Sequence, residues 1–198
     1  MALRLGPLKI PWPRKDSRDP STGLRAGDPY WDFFIDTPPA DLANSVTELI
    51  RNAPEGNVFP TKADLHTPEI TSGHVKELAR YLGADLVGVA RLSSDDGEGY
   101  PLAVICAVRA DYDPRETAGI GGQVPVQNGL FITFVLSAWI RELGFRATAS
   151  SHPNAEALAA AAGLGALNPN GRLVTPKYGT RVHVADVIRT DLPLAADG

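Results

Sequence analysis

The apolar positions change period several times along the chain, and each change marks an element. Over residues 38–52, Leu42, Val46, Leu49 and Ile50 recur at helical spacing. Residues 53–66 carry no period and are expected as loop. Thr67-Pro68-Glu69 is a helix start: an N-cap residue, proline at the first position and an acid in the first turn. Val75, Leu78, Ala79 and Leu82 form the buried stripe of that helix, which Gly83 ends, and His74 sits at its surface or edge. Residues 85–92 and 101–110 are strands. The second is continuously apolar, which suits a strand covered on both faces. Residues 119–129, GIGGQVPVQNG, are expected as a flexible approach to a helix over 130–143 that is apolar on most sides. A short strand follows over 146–150.

The chain is organised around residues 157–193. An alanine-rich helix over 154–165 ends in Gly163-Leu164-Gly165, glycines suited to a helix C-terminus. The loop Leu167-Asn168-Pro169-Asn170-Gly171 cannot continue it, because Pro169 lacks a donor and Asn and Gly favour turns. Strands over 172–177 and 181–189 flank a tight turn at Tyr178-Gly179-Thr180. A polar loop of this kind brings backbone groups to a ligand, and it also serves as a plain helix-to-strand connection. The alternation of helices and strands predicts an α/β or α+β layered fold with one mixed sheet. Residues 1–37, rich in proline, glycine and aromatics, are expected as an irregular N-terminal arm, and residues 38–198 as a single domain.

With 198 residues and 43% apolar content, the chain is long enough to bury a core. A net charge of −4 argues against nucleic-acid binding. No apolar run is long enough to cross a bilayer, and the N-terminus has no signal-peptide core, so the expected location is cytoplasmic. The single Cys106 lies in an apolar strand and is expected in the core; alone it builds no iron–sulfur or thiolate zinc site. The four histidines form no metal-ligand motif. Tyr112, in a turn after the second strand, and His152, in the loop before the alanine-rich helix, are both placed where a ligand or a turn can use them.

KELARYLGADLVGVARL, AWIRELGFRATAS, AAAAGLGALNPNGRLVTPKYGTRV and VIRTDLPLAADG, in that order and spacing, resemble the corrinoid-binding domain of reductive dehalogenases. More distantly they resemble epoxyqueuosine reductase, and GDPYWDFF adds to the dehalogenase side. The resemblance implies a nitroreductase-like core, shared with cobalamin-processing proteins, that holds cobalamin base-off with no protein side chain as lower ligand. It implies that residues 168–171 and 177–181 hold the corrinoid. The cofactor-binding residues expected on this basis are Gln127, Asn128, His152, Gly165, Asn168, Asn170, Gly171, Thr175, Tyr178, Gly179 and Arg181.

Three departures qualify the activity. The family continues past its TDLP stretch into a cysteine-rich region with two iron–sulfur clusters, which these residues do not include. PVQNG stands where the family carries a tyrosine thought to donate a proton, with Val126 near that position. Pro169 replaces the family's loop arginine. Valine and proline cannot act as general acids. The expected function is corrinoid binding without iron–sulfur clusters, with a small-molecule corrinoid as partner and any reductant supplied from outside. Two alternatives are open: a cobalamin-dependent oxidoreductase with a separate electron-donor protein and Tyr112 or Tyr178 as proton donor, or a non-catalytic subunit that has lost the cofactor. A homodimer is a further partner expectation; nucleic acid and membrane are not expected.

Overall fold

The computed structural model describes residues 3–5, 8–10, 47–93, 97–110 and 120–198, the first two stretches and residues 120–123 by their backbone only. Within the arm expected to be irregular, β1 (Leu3–Leu5) and β2 (Leu8–Ile10) pair antiparallel. The alternation Leu-Arg-Leu and Leu-Lys-Ile on either side of a Gly-Pro dipeptide is a hairpin signal. The aromatic cluster at residues 30–34 and Tyr112 lie outside the described residues.

Residues 47–51 are helical, the end of the helix expected over 38–52. Helix α1 (Pro68–Tyr81) begins where its cap predicts, with the Ile70 amide donating to Thr67 Oγ1 at 3.4 Å. Val75 and Ala79 are buried and Leu78 and Leu82 pack against the same cluster.

The main sheet has β4 (Leu102–Arg109) at its centre, and every residue of β4 but Arg109 is buried. β3 (Leu86–Arg91) pairs with one edge of it. β8 (Val182–Val184) and β9 (Val187–Thr190) share the other edge, and β5 (Ala147–Ser150) pairs with β9. The fold class is α+β as expected, but all these pairings are antiparallel, where a mixed sheet was expected. The helical crossover from β4 to β5 does carry the chain back in the same direction. β9 inserts between the two strands, so every hydrogen-bonded contact is antiparallel.

β8 and β9 are one strand interrupted by a bulge. Val104 faces Ile188 and Ala107 faces Val184, so Ile105 and Cys106 stand opposite Ala185, Asp186 and Val187. The extra residue bends the strand locally. The Ala185 amide still donates to the Cys106 carbonyl at 2.9 Å, which places the irregularity at Ala185-Asp186.

The alternation of β4 divides the core in two. Leu102, Val104, Cys106 and Val108 meet α1 and α2 (Ile120–Glu142) on one face. Ala103, Ile105 and Ala107 meet α3 (Ala155–Ala161) and Leu173 on the other. α2 begins ten residues before the expected helix start and takes in Pro125 and the approach segment. Local propensity disfavours helix there, but packing against the sheet outweighs it. On the α3 face, β6 (Ala166–Leu167) and β7 (Leu173–Val174) form a separate hairpin, so the strand expected over 172–177 does not join the main sheet. Asp197 covers the free edge of β3: its amide donates to the Val89 carbonyl at 2.9 Å, and its carboxylate accepts the Val89 amide at 2.8 Å.

Candidate ligand sites at the end of the sheet

On the α3 face, two turns carry most of the residues expected to hold a cofactor. In the first, the Asn168 carboxamide oxygen accepts the amides of Asn170 and Arg172 at 3.0 and 2.9 Å, and the Gly171 amide donates to the Asn168 carbonyl. The Asn168 side chain is therefore spent on shaping its own loop. Asn170 and Gly171 are exposed. Gly171 has φ +73°, the left-handed region that glycine occupies without strain, and a Cβ there would meet nothing within 4 Å. In the second turn, Thr175 and Gly179 exchange backbone hydrogen bonds at 2.9 Å each. The Thr175 hydroxyl is buried and occupied, accepting from the Tyr178 amide and donating to the Gly179 carbonyl. Gly179, at φ +59°, is likewise open to approach. Gly165 has a different use: a Cβ there would lie 2.3 Å from the Val174 carbonyl oxygen, so glycine lets the end of α3 close onto the β7 backbone.

Tyr178 is half-buried and its hydroxyl donates to Asp85 Oδ1 at 3.3 Å, while Asp85 Oδ2 accepts the Arg109 amide at 2.7 Å. Its proton thus points at a carboxylate on the rim of the sheet. The Lys177 ammonium lies 5.0 Å from the centre of the Tyr178 ring.

On the other face, Gln127 and Asn128 lie on α2, half-buried and exposed respectively. Between the two faces runs β8. Val182 and Val184 pack into the α3 cluster, so strand alternation gives Arg181 and His183 to the α2 side. The contact is close: a Cβ on Gly129 would lie 2.9 Å from Ala185 Cβ and 3.4 Å from His183 Cδ2. His183, which the sequence did not single out, thus lies against α2. Its alternation with Val182 and Val184 was the available signal, and only the fold shows that it meets α2 at Gly129. His152 is half-buried; its Nδ1 accepts the Asn154 amide at 3.1 Å and helps shape the entry to α3.

A cleft of about 240 Å³ opens on the α2 side of the same end of the sheet. Its α2 wall is Leu130, Thr133, Phe134, Ser137 and Arg141, a single helical stripe whose extension by one turn reaches Val126. Ala149, Ser150 and Ser151 form the β5 wall, Ile50, Arg51, Ala53, Pro54 and Glu55 the rim, and Asp186 enters from the bulge. Arg141 is 6% exposed; its Nη1 donates to the Ala147 carbonyl at 2.8 Å and its buried Nε has no partner among the described residues. Burial raises the pKa of Asp186 above the ordinary carboxylate value, and the positive charge of Arg51 opposes this. None of the cofactor-binding residues expected from the sequence lines this cleft.

No protein-family model and no curated protein matches the sequence. Solved structures do. The reductive dehalogenase NpRdhA, a catabolic enzyme, is 26% identical over 80% of this chain, with a TM-score of 0.67. A reductive dehalogenase structure from which a mechanism for B12-dependent dehalogenation was suggested is 25% identical over 80% of the chain, at 0.63. The chain shares its fold with reductive dehalogenases. It spans about 25% of the length of these relatives. Epoxyqueuosine reductase from Bacillus subtilis is 15% identical over 65% of the chain and 47% of its own length, with a TM-score of 0.46. The resemblance to reductive dehalogenases expected from the sequence stretches therefore holds. No described helix is long and apolar enough to cross a membrane.

Proposed function

We propose that this chain binds a corrinoid at the end of the sheet where β8 meets the two turns of the α3 face. The observation that supports this most is the likeness to a B12-dependent dehalogenase at 25% identity over 80% of the chain. The residues present suit such a group. Gly171 and Gly179 leave the main chain open at two turns, and the exposed Asn170 offers a carboxamide able to donate to and accept from corrin side-chain amides. Gln127, Asn128 and Arg181 would serve the opposite side, with His183 added to them. Asn168, Thr175 and Gly165 hold the geometry of the turns. When bound, the corrinoid supplies a redox-active cobalt; this chain's part is to bind, orient and shield it.

Cobalamin is expected in the base-off form, since the sequence resemblance implies no lower ligand and the His152 ring is engaged by its own loop. Reduction is expected from a separate low-potential donor protein. Absorption titration of the purified protein with cobalamin tests the reading. A saturable base-off spectrum is expected, and it should survive His152→Ala. A protein that folds but leaves the cobalamin spectrum unchanged at any ratio overturns the proposal and favours a scaffold that has lost the cofactor.

A further inference from the structure

The cleft beside Asp186 has chemistry that the corrinoid reading does not use. Asp186 reaches it because the bulge turns the strand there, and Gly129 lets α2 come down close on the residue before it. The carboxylate is partly withdrawn from water, and the charge acting on it is that of Arg51. A carboxylate in that condition is stabilised by a cation or a strong donor placed against it. The cleft also carries the opposite sign. Arg51 stands at its rim, and the buried Arg141 guanidinium in its wall keeps an Nε with no partner among the described residues. Ser150 Oγ accepts from Arg189 Nη2 at 3.2 Å, which leaves its own proton to donate. Beside these charged groups, Leu130 and Phe134 supply an apolar wall. At about 240 Å³ the cleft lies below the roughly 300–1,000 Å³ typical of drug-sized ligands.

We infer that this cleft is a site for a small zwitterion with an apolar body, of the amino-acid type, its ammonium against Asp186 and its carboxylate against Arg51 and Ser150. A cation alone meets the two arginines unfavourably, and an anion alone meets Asp186 and the Glu55 carboxylate at the rim. A molecule with both ends satisfies each. The site belongs to the polypeptide and does not rest on corrinoid binding.

Calorimetric titration of the corrinoid-free protein with L-valine, L-leucine and L-phenylalanine tests it, with 4-methylpentanoate and 3-methylbutylamine as analogues of leucine that keep one charged end each. At least one amino acid is expected to bind at millimolar concentration or better, with both one-ended analogues at least tenfold weaker than leucine. Asp186→Asn should weaken the amino acid and the amine at least tenfold. Arg51→Ala should weaken the amino acid and the acid and leave the amine unchanged or tighter. Thermal denaturation of both variants checks that the fold is retained. Absence of binding by all three amino acids, equal binding of a one-ended analogue, or indifference to Asp186→Asn in a folded protein overturns the inference.

Discussion

Asp186, Gly165 and Asn170 show three different demands made on single residues. Asp186 has its folded-state pKa raised by burial, so between its unfolded value and that raised value the native state holds more proton than the unfolded chain. Stability attributable to this group therefore falls as pH rises through that window. Asp186→Asn is expected to raise the melting temperature at neutral pH, with the gain shrinking as pH falls and vanishing only well below the ordinary aspartate value of about 3.9, where the carboxyl is protonated in both states. A variant more stable yet deficient in ligand binding is the pattern of a residue kept for function. Gly165→Ala drives a methyl against the Val174 backbone and should cost about 1–3 kcal/mol, visible as a lowered melting temperature. Asn170→Ala touches no described packing. If its carboxamide meets the corrinoid, affinity should fall roughly two- to tenfold, the worth of a hydrogen bond of about 0.5–1.5 kcal/mol, with the melting temperature unchanged. Unchanged cobalamin affinity would remove that side chain from the site.

At the scale of elements, the bulge between β8 and β9 decides what faces the cleft. Deleting Ala185 should leave the register of both strands against β4 intact, because the deletion removes the one residue by which they are out of step. Asp186 would then stand opposite Cys106, whose side chain is fully buried against α2 and whose thiol pKa burial has pushed up to about 12. A carboxylate forced into that environment is costly. The deletion variant is expected to unfold at a markedly lower temperature than the parent, and adding Asp186→Ala to it should restore much of the loss. No recovery in the double variant would mean that the bulge matters through the backbone and not through Asp186. α2 shows a related rule: its proline and glycines look unsuited to a helix, yet Gly129 is needed for close contact with Ala185.

For the molecule as a whole, the exposed edge of β3 is closed by the C-terminal segment. Asp197 pairs with Val89, Ser72 Oγ accepts the Ala195 amide at 2.8 Å, and Lys76 forms an ion pair with Asp197. An uncovered edge strand is a template for pairing with another chain. A variant ending after Leu194 is expected to scatter more light on incubation at 37 °C and to gain thioflavin fluorescence, with Asp197→Ala showing a weaker version of the same behaviour. A truncated protein as monodisperse as the parent would show that β3 is protected by its own twist and charge.

The helix over 68–81, the strands β3, β4 and β5, the cap at Thr67, the central place of β4 and the reductive dehalogenase likeness carried by residues 76–92, 138–150, 159–182 and 187–198 were legible from the sequence. These are legible because they depend on spacing along the chain: side chains repeat with the backbone, and turn chemistry is local. Tertiary structure alone decided that β9 slips between β4 and β5, making the sheet antiparallel, and that residues 120–129 join α2. It also decided that Asn168 and Thr175 spend their polar groups inside their own turns while Asn170 and Gly171 stay open. The cleft was wholly invisible beforehand. It is built from Arg51, Arg141, Ser150 and Asp186, far apart in sequence, and Asp186 reaches it through a bulge. A bulge arises from a one-residue mismatch between two strands, a property of their pairing that neither strand carries alone.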